Sequence, residues 1–182
     1  DIITGYSSMK EILRLIQENP SAKINIIFGN EPNASDLGNL KPSPRELSAE
    51  MVKFWLEKGI SILDADVVFD AIEALQSGRI EVKIGCEKRR MLHAKVFISD
   101  NHAIVGSSNF SQGGLQYNRE FNAKFHVSEG MRFKQINKFW RLTWGEGAPF
   151  GDEFLELLLN MLRKSPWGEA LAKAIAILLE SG

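Results

Sequence analysis

The sequence has little of what marks several protein classes. Among its 182 residues there is one cysteine, Cys86, which excludes an internal disulfide framework and a zinc site built from cysteines. No apolar run is as long as a membrane span, and the first residues lack the basic and apolar segments of a signal peptide. These absences predict a cytoplasmic protein in a reducing compartment, without a membrane partner.

The sequence also lacks an excess of either charge. It contains 22 Lys and Arg against 23 Asp and Glu, which gives a formal net charge of -1. A chain so close to neutral has no global positive field that would hold it on DNA or on an anionic membrane. Any contact with nucleic acid must therefore be local. The run Glu87-Lys88-Arg89-Arg90 is one candidate for such a contact, and a solvated loop explains it equally well.

Strand and helix periods alternate along the chain. Strands are predicted over residues 1–6, 23–28, 60–63, 79–84, 92–99, 102–106 and 121–127. Helices are predicted over residues 9–19, 44–58, 66–76 and 129–144. The first strand-helix-strand unit favours parallel pairing, and the Asp100-Asn101 turn favours an antiparallel hairpin. The pattern predicts an α/β fold with a mixed β-sheet flanked by helices on both faces.

The carboxyl-terminal segment is rich in leucine. Leucines at helical spacing over residues 155–162 predict one amphipathic helix, and Ser165-Pro166 begins another. We predict a catalytic domain over residues 1–145 and extra C-terminal helices over 146–182 that lead into a further domain of a longer protein. The apolar faces of these helices need cover, either from this domain or from a dimer or interdomain contact.

The segment from residue 92 to residue 100 carries the most informative residues. His93 and Lys95 are two positions apart on a predicted strand, so their side chains should leave the same face of the sheet. An imidazole and an ammonium group on one face can converge on one anion. The segment therefore predicts an anion site.

A second cluster of polar residues follows the hairpin. Gly106 allows a sharp turn of the backbone, and Ser107 and Asn109 can donate hydrogen bonds to phosphate oxygens. Glu120 can accept a hydrogen bond from Nδ1 of His93, which would fix the tautomer whose Nε2 is able to attack. Together with the first cluster, these residues predict chemistry on a phosphate ester.

These residues resemble the motif of the phospholipase D superfamily: His-x-Lys, four residues, Asp, a short spacer, then Gly-Ser-x-Asn. The resemblance runs from Leu92 to Asn122, with five residues, 101–105, between Asp100 and Gly106 where many members have six. A shorter hairpin turn explains that difference. The strand and helix order from residue 1 is also compatible with the fold of the superfamily.

The resemblance implies a metal-independent phosphodiesterase or nuclease without a cofactor. It makes His93 the nucleophile of a phosphohistidine intermediate or the acid, Lys95 and Asn109 the groups that stabilise phosphoryl charge, and Glu120 the group that orients His93. Substrate-binding roles are predicted for Gly106, Ser107, Ser108 and Arg90. No residue is assigned to a metal.

Other residues have simpler structural explanations. Asp100 lies at the tip of the predicted hairpin, where turn chemistry explains it, so we assign it to the motif and not to catalysis. His102 and His126 have no partner at metal-ligand spacing. The aromatic residues over 133–144 recur at helical spacing and are predicted to lie in the core; a base-stacking platform is the alternative.

The partners follow from two further observations. The segment Ile3-Thr4-Gly5-Tyr6-Ser7-Ser8 looks like the start of phospholipase D-like modules of bacterial Swi/Snf-type DNA helicases and restriction systems, so nucleic acid is the expected partner, with DNA favoured over RNA. The superfamily mechanism uses two motif histidines and this chain has one motif, which predicts a homodimer that shares one active site. A second copy elsewhere in a longer parent chain is the alternative. A rival interpretation is a catalytically silent module that binds nucleic-acid phosphate or regulates an attached helicase.

Overall fold

The structure is a computed structural model, and it describes residues 1–5, 7–29, 65–85 and 92–164. The strands of the described part are β1 (Ile2–Thr4), β2 (Ile24–Phe28), β3 (Ile80–Ile84), β4 (Lys95–Ile98), β5 (His102–Gly106), β6 (Asn122–His126) and β7 (Ala148–Pro149). Its helices are α1 (Met9–Glu18), α2 (Ala65–Gln76), α3 (Met131–Glu146) and α4 (Gly151–Lys164). A π-helix (Gly113–Tyr117) and a 3-10 helix (Val127–Glu129) are shorter.

The strands form one mixed sheet in the order β6-β5-β4-β1-β2-β3-β7. The central strands β1, β2 and β3 are parallel to one another, whereas β4, β5, β6 and β7 join by antiparallel pairing. The carboxyl ends of β1, β2 and β3 therefore meet at one edge of the sheet. We call this the carboxyl edge and the other the amino edge.

Local signals set the limits of the first helix. The side chain of Ser8 accepts a hydrogen bond from the backbone N–H of Glu11 and caps the start of α1. Met9, Ile12, Leu13 and Ile16 follow at helical spacing, and all four are buried. The helix ends at Glu18 with Asn19 as its C-cap, because Asn19 precedes Pro20 and a residue before proline avoids the α region. Helix α1 thus has one apolar face to bury against the sheet.

Alternating residues of the central strands feed two hydrophobic clusters on opposite faces of the sheet. Ile2 joins the larger cluster, which also takes in buried residues of α1, α2 and α4. Its neighbour Ile3 joins the smaller cluster with Ile27, Val96 and Trp140 of α3. Successive side chains of a strand point to opposite faces. The sheet is therefore covered by helices on both faces, which confirms the predicted α/β class.

Most predicted elements within the described residues are present. The parallel pairing of β1 with β2 and the antiparallel hairpin of β4 and β5 are confirmed. The prediction that the aromatic residues over 133–144 lie in the core holds in part. Trp140 is buried, whereas Phe133 and Trp144 are partly buried and Phe139 is 44% exposed. The predicted helix over 44–58, the strand over 60–63 and the helix after residue 164 lie outside the described residues.

The carboxyl-terminal part departs from the predicted domain boundary at residue 145. Strand β7 pairs with β3, and α4 buries Phe154, Leu157 and Leu158 in the same core as Phe28. Residues 148–164 thus pack on the sheet, so this domain itself covers the apolar face of α4. Residues 165–182 lie outside the described part, so a further domain stays a prediction. Among the described residues, no helix combines the length and the apolar character needed to cross a membrane.

Candidate active site

Each of the three parallel strands is followed directly by a glycine at the carboxyl edge. Gly29 N donates to Thr4 O at 2.7 Å and Gly85 N donates to Phe28 O at 2.7 Å, so the hydrogen-bond ladder continues into these glycines. Gly29 has no room for a side chain, because a Cβ there would overlap the carbonyl oxygen of Leu92 and lie 3.0 Å from Cα of Gly5. The main chain therefore crosses the carboxyl edge closely at this point.

This crossing brings His93 to the carboxyl edge. Leu92 lies against Gly29 and Gly85, at the ends of β2 and β3, and the chain enters β4 at Lys95, beyond β1. Strand β4 thus begins three residues later than the strand predicted over 92–99. Residues 92–94 run across the strand ends and do not pair with β1, so strand alternation does not position His93. Its side chain is exposed at this edge.

Lys95 is the first residue of β4 and is only 2% exposed. Its Nζ donates a hydrogen bond to the carbonyl oxygen of His93 at 2.8 Å. This bond ties the ammonium group to the backbone of the histidine and adds positive charge beside it. An ammonium group has three donors. Direct contact of Lys95 with an anion requires a cleft that reaches its buried side chain, and this contact stays a prediction.

Asn109 is fastened to the end of β1. Its Oδ1 accepts hydrogen bonds from Gly5 N at 3.0 Å and from Thr4 Oγ1 at 3.4 Å. The Thr4 hydroxyl in turn accepts from Phe110 N at 2.9 Å, and Thr4 is fully buried. Because Oδ1 is the acceptor, the other polar atom of the amide, Nδ2, is a donor of the kind that binds a phosphate oxygen. No local pattern in the sequence indicates that Thr4 and Gly5 hold Asn109.

Ser107 and Glu120 form a second hydrogen-bonded pair at the same edge. The Ser107 hydroxyl donates to Oε2 of Glu120, and Asn118 Nδ2 donates to Oε1 at 3.3 Å. Phe121 N donates to Ser107 Oγ at 3.1 Å. These contacts fix the Glu120 carboxylate in one orientation. The predicted role of Glu120 in orienting His93 stays a prediction.

Two predicted substrate-binding residues have clear structural roles. Gly106 is the last residue of β5, not a sharp turn, and it pairs with Lys95 on one side and Asn122 on the other. A Cβ at Gly106 would overlap the side chain of Asn122 and the carbonyl oxygen of Phe121, so β6 could not approach. Ser108 is 3% exposed, and its Oγ accepts from Asn122 Nδ2 at 2.7 Å. Both residues hold β6 in place.

The remaining motif residue lies at the other end of β4. Asp100 is an exposed residue at the hairpin tip on the amino edge, and on the order of 10 Å of strand separates it from Lys95. This position supports its assignment to the turn and not to the chemistry. Arg90 lies outside the described residues. In the described part of the chain, no three His, Cys, Asp or Glu side chains gather closely enough to hold a metal ion.

The chain matches a family model described as "Cardiolipin synthase, PLD-like domain" over residues 1–142. The chain belongs to the phospholipase D-like family. The match covers strands β1 to β6 and the motif residues of the carboxyl edge. It confirms the predicted superfamily, and with it a domain of the class of hydrolases that act on phosphodiester bonds.

Two solved structures are similar to this phospholipase D-like domain. One is NucT from Helicobacter pylori, 16% identical over 82% of this chain and 80% of that chain, with a TM-score of 0.48. The other is a phospholipase D family member, Nuc from Salmonella typhimurium, 14% identical over 81% of this chain and 78% of that chain, with a TM-score of 0.45. No curated protein matches the chain. The assignment of the domain to its family rests on the family model.

Proposed function

We propose that this phospholipase D-like domain hydrolyses phosphodiester bonds of nucleic acid, DNA in preference to RNA, without a metal. One observation carries the proposal: the fold brings His93, Lys95, Asn109, Ser107 and Glu120 to the carboxyl edge of the sheet from separate segments. Ligands of open α/β sheets bind beyond the carboxyl ends of the strands. An exposed imidazole with cationic and amide donors around it suits a phosphoryl group.

The reaction has two steps in this proposal. First, Nε2 of His93 attacks phosphorus and the bond to the leaving oxygen breaks, while an acid protonates that oxygen. Water then attacks the phosphohistidine, the P–N bond breaks, and a phosphate monoester leaves. Lys95 and the Asn109 amide stabilise the charge on the phosphoryl oxygens. Glu120 orients His93 through a hydrogen bond to Nδ1.

The acid requires a second histidine, and we propose that a second copy of the chain supplies it. The superfamily mechanism uses two motif histidines, whereas this chain carries one motif. A twofold dimer would place His93 of both copies in one shared site and bury the same surface of each copy. The resemblance of the first residues to helicase- and restriction-associated modules supports DNA as substrate and a place in a larger cytoplasmic protein of that type.

Activity in excess EDTA tests the proposed chemistry. The substrates are a chromogenic phosphodiester and a DNA oligonucleotide, and we expect turnover to be unchanged by the chelator, because no step uses a metal. Loss of activity that magnesium or zinc restores would contradict the metal-independent mechanism. Trapping of a ³²P label on wild-type protein, but not on the His93→Ala variant, would support the phosphohistidine.

Mixing of chains tests the shared site. Wild-type and His93→Ala chains are unfolded together, reassociated and assayed at several ratios. If both histidines of a dimer are needed, activity falls as the square of the wild-type fraction, so an equal mixture retains about one quarter of the activity. A linear fall would show that each chain works alone and would exclude the shared site.

A second candidate function is a silent module that binds nucleic-acid phosphate or regulates an attached helicase. The observation that favours it is the burial of Lys95, whose Nζ bonds to the backbone of His93. A silent module would bind DNA in a salt-dependent manner without turnover on either substrate. Turnover that depends on His93 would exclude it.

A further inference from the structure

Two aromatic side chains project into solvent beside the candidate site. Tyr117 is 72% exposed and Phe121 is 81% exposed. Arg119, which is also exposed, lies between them in the chain. We call Tyr117, Arg119 and Phe121 the aromatic rim. Rings this exposed lose the free energy that burial would give them, so their position beside a candidate site calls for a functional explanation.

The aromatic rim is attached to the site through hydrogen-bonded backbone. Ser107 N donates to Phe121 O at 3.1 Å, and Phe121 N donates to the same Ser107 hydroxyl that binds Glu120. At the other end of the rim, Asn118 N donates to Gly113 O at 2.8 Å. The rings therefore extend from a backbone that is fixed relative to Ser107 and Glu120, and a ligand held at the site would lie next to them.

We propose that the aromatic rim stacks on unpaired bases next to the phosphodiester at the carboxyl edge, so that the substrate is a single-stranded nucleic acid. The proposal rests on the proposed function and adds the form of the substrate. Every base has a π-face, so exposed rings bind bases of any sequence, each stack contributing about 1–3 kcal/mol. The faces of duplex bases are already stacked. Arg119 suits the backbone phosphates or a further base face.

The composition of the rim favours nucleic acid over a protein partner. Three polar or charged residues lie between the two rings in the chain. Of these, Asn118 and Arg119 are exposed and Glu120 is partly buried. The core of a protein interface is depleted of charge and forms a continuous apolar patch. Rings separated by an arginine instead match the grooves that bind single strands, where aromatic side chains and cations alternate along the backbone path.

Base-free DNA tests this inference directly. One oligonucleotide carries bases, and a second has the same length and charge but abasic sites around the scissile position. For the wild type we expect kcat/KM and affinity to be at least about tenfold higher on the strand with bases. Phe121→Leu keeps apolar bulk and removes the ring, so it should lose most of this preference. Phe121→Trp should keep it. The matched control is Phe139→Leu on α3, a ring that is 44% exposed and should change nothing.

The outcomes separate this inference from the proposed function. Equal kcat/KM and affinity of the wild type for the two oligonucleotides would overturn base stacking and leave the proposed hydrolase activity intact. A base preference in binding without turnover would support the aromatic rim and count against hydrolysis. If Phe121→Leu lowers kcat/KM equally on the two oligonucleotides, and sedimentation shows that a dimer has become a monomer, the rim is a contact between copies of the chain. The proposal then fails.

Discussion

At the carboxyl edge, a glycine follows each parallel strand, and His93, Lys95 and Asn109 lie around the end of β1. At the amino edge, the chain turns tightly at Asp100, and the rings of His102 and His126 meet with centroids 4.9 Å apart. Both edges thus carry histidine and charged residues of the same kinds. Among the described residues, only the carboxyl edge combines a close backbone crossing with donors from several segments of the chain.

The hydrogen bonds of the two edges explain the difference. At the amino edge, His126 Nδ1 accepts from Ser128 N at 3.2 Å, so its ring caps the short 3-10 helix that follows β6. Ser99 N and His102 O close the hairpin at 2.8 Å. These contacts serve local structure. At the carboxyl edge, the contacts of Thr4 with Asn109 span 105 residues of sequence and position a side chain that can bind a ligand.

The largest expected effect comes from the histidines of the two edges. His93→Ala should lower kcat on a chromogenic diester by about 10³-fold or more, because it removes the proposed nucleophile, with little change in stability at an exposed position. His126→Ala and Asp100→Asn at the amino edge should leave kcat within about twofold. Circular dichroism and thermal melts confirm folding in each variant. Undiminished turnover in His93→Ala would refute the assignment of the site.

The second comparison concerns a hydroxyl at each edge. Thr4→Val leaves Phe110 N without its acceptor in a buried position, so urea unfolding should show a loss of about 1–3 kcal/mol. The same change removes one of the two hydrogen bonds on Oδ1 of Asn109 and leaves the one from Gly5 N, so kcat should fall by up to about tenfold. Ser99→Ala is the matched loss at the amino edge, where the hydroxyl accepts from His102 N at 3.2 Å and is exposed. There we expect no change in kcat and a stability change within about 0.5 kcal/mol. Equal losses of kcat in Thr4→Val and Ser99→Ala would contradict the assignment of the site to the carboxyl edge.

The sequence predicts much of the sheet because strand periodicity is local. Strand β5 has its predicted bounds, 102–106, and β3 begins one residue after its prediction. The start of β4 is different, because the crossing over Gly29 depends on contacts between distant segments and leaves no periodic signal. Strand β7 has two residues, too few to alternate, and its pairing with β3 joins residues 148–164 to the core. The boundary predicted at residue 145 reflects the break in the helical pattern of the sequence, which carries no information about how residues 148–164 pack on the sheet.

The candidate site is predictable where a motif describes it and not where long-range contacts do. The spacing of the His-x-Lys and Gly-Ser-x-Asn motif indicates His93, Lys95 and Asn109. No local pattern indicates that Thr4 holds Asn109. Gly106 and Ser108 are part of the same motif, and the structure gives them packing roles against Asn122. The motif thus combines residues that are proposed to act on the substrate with residues that pack the fold, and spacing alone does not separate the two kinds.

The smallest expected effect is a pH dependence of stability at the amino edge. The pKa of His102 is lowered from its ordinary value, first by partial desolvation and then by the nearby charges of Lys124 and His126. The unfolded chain therefore binds this proton more tightly than the folded protein does. Stability should be undiminished above the ordinary histidine pKa of about 6.5 and should fall as the pH drops through it. His102→Gln should flatten this part of the profile, measured as the urea midpoint between pH 7.5 and about 5, while kcat at neutral pH stays unchanged. A profile in His102→Gln as steep as that of the wild type would show that the acid sensitivity arises elsewhere, and a lowered kcat would show that the two edges are coupled.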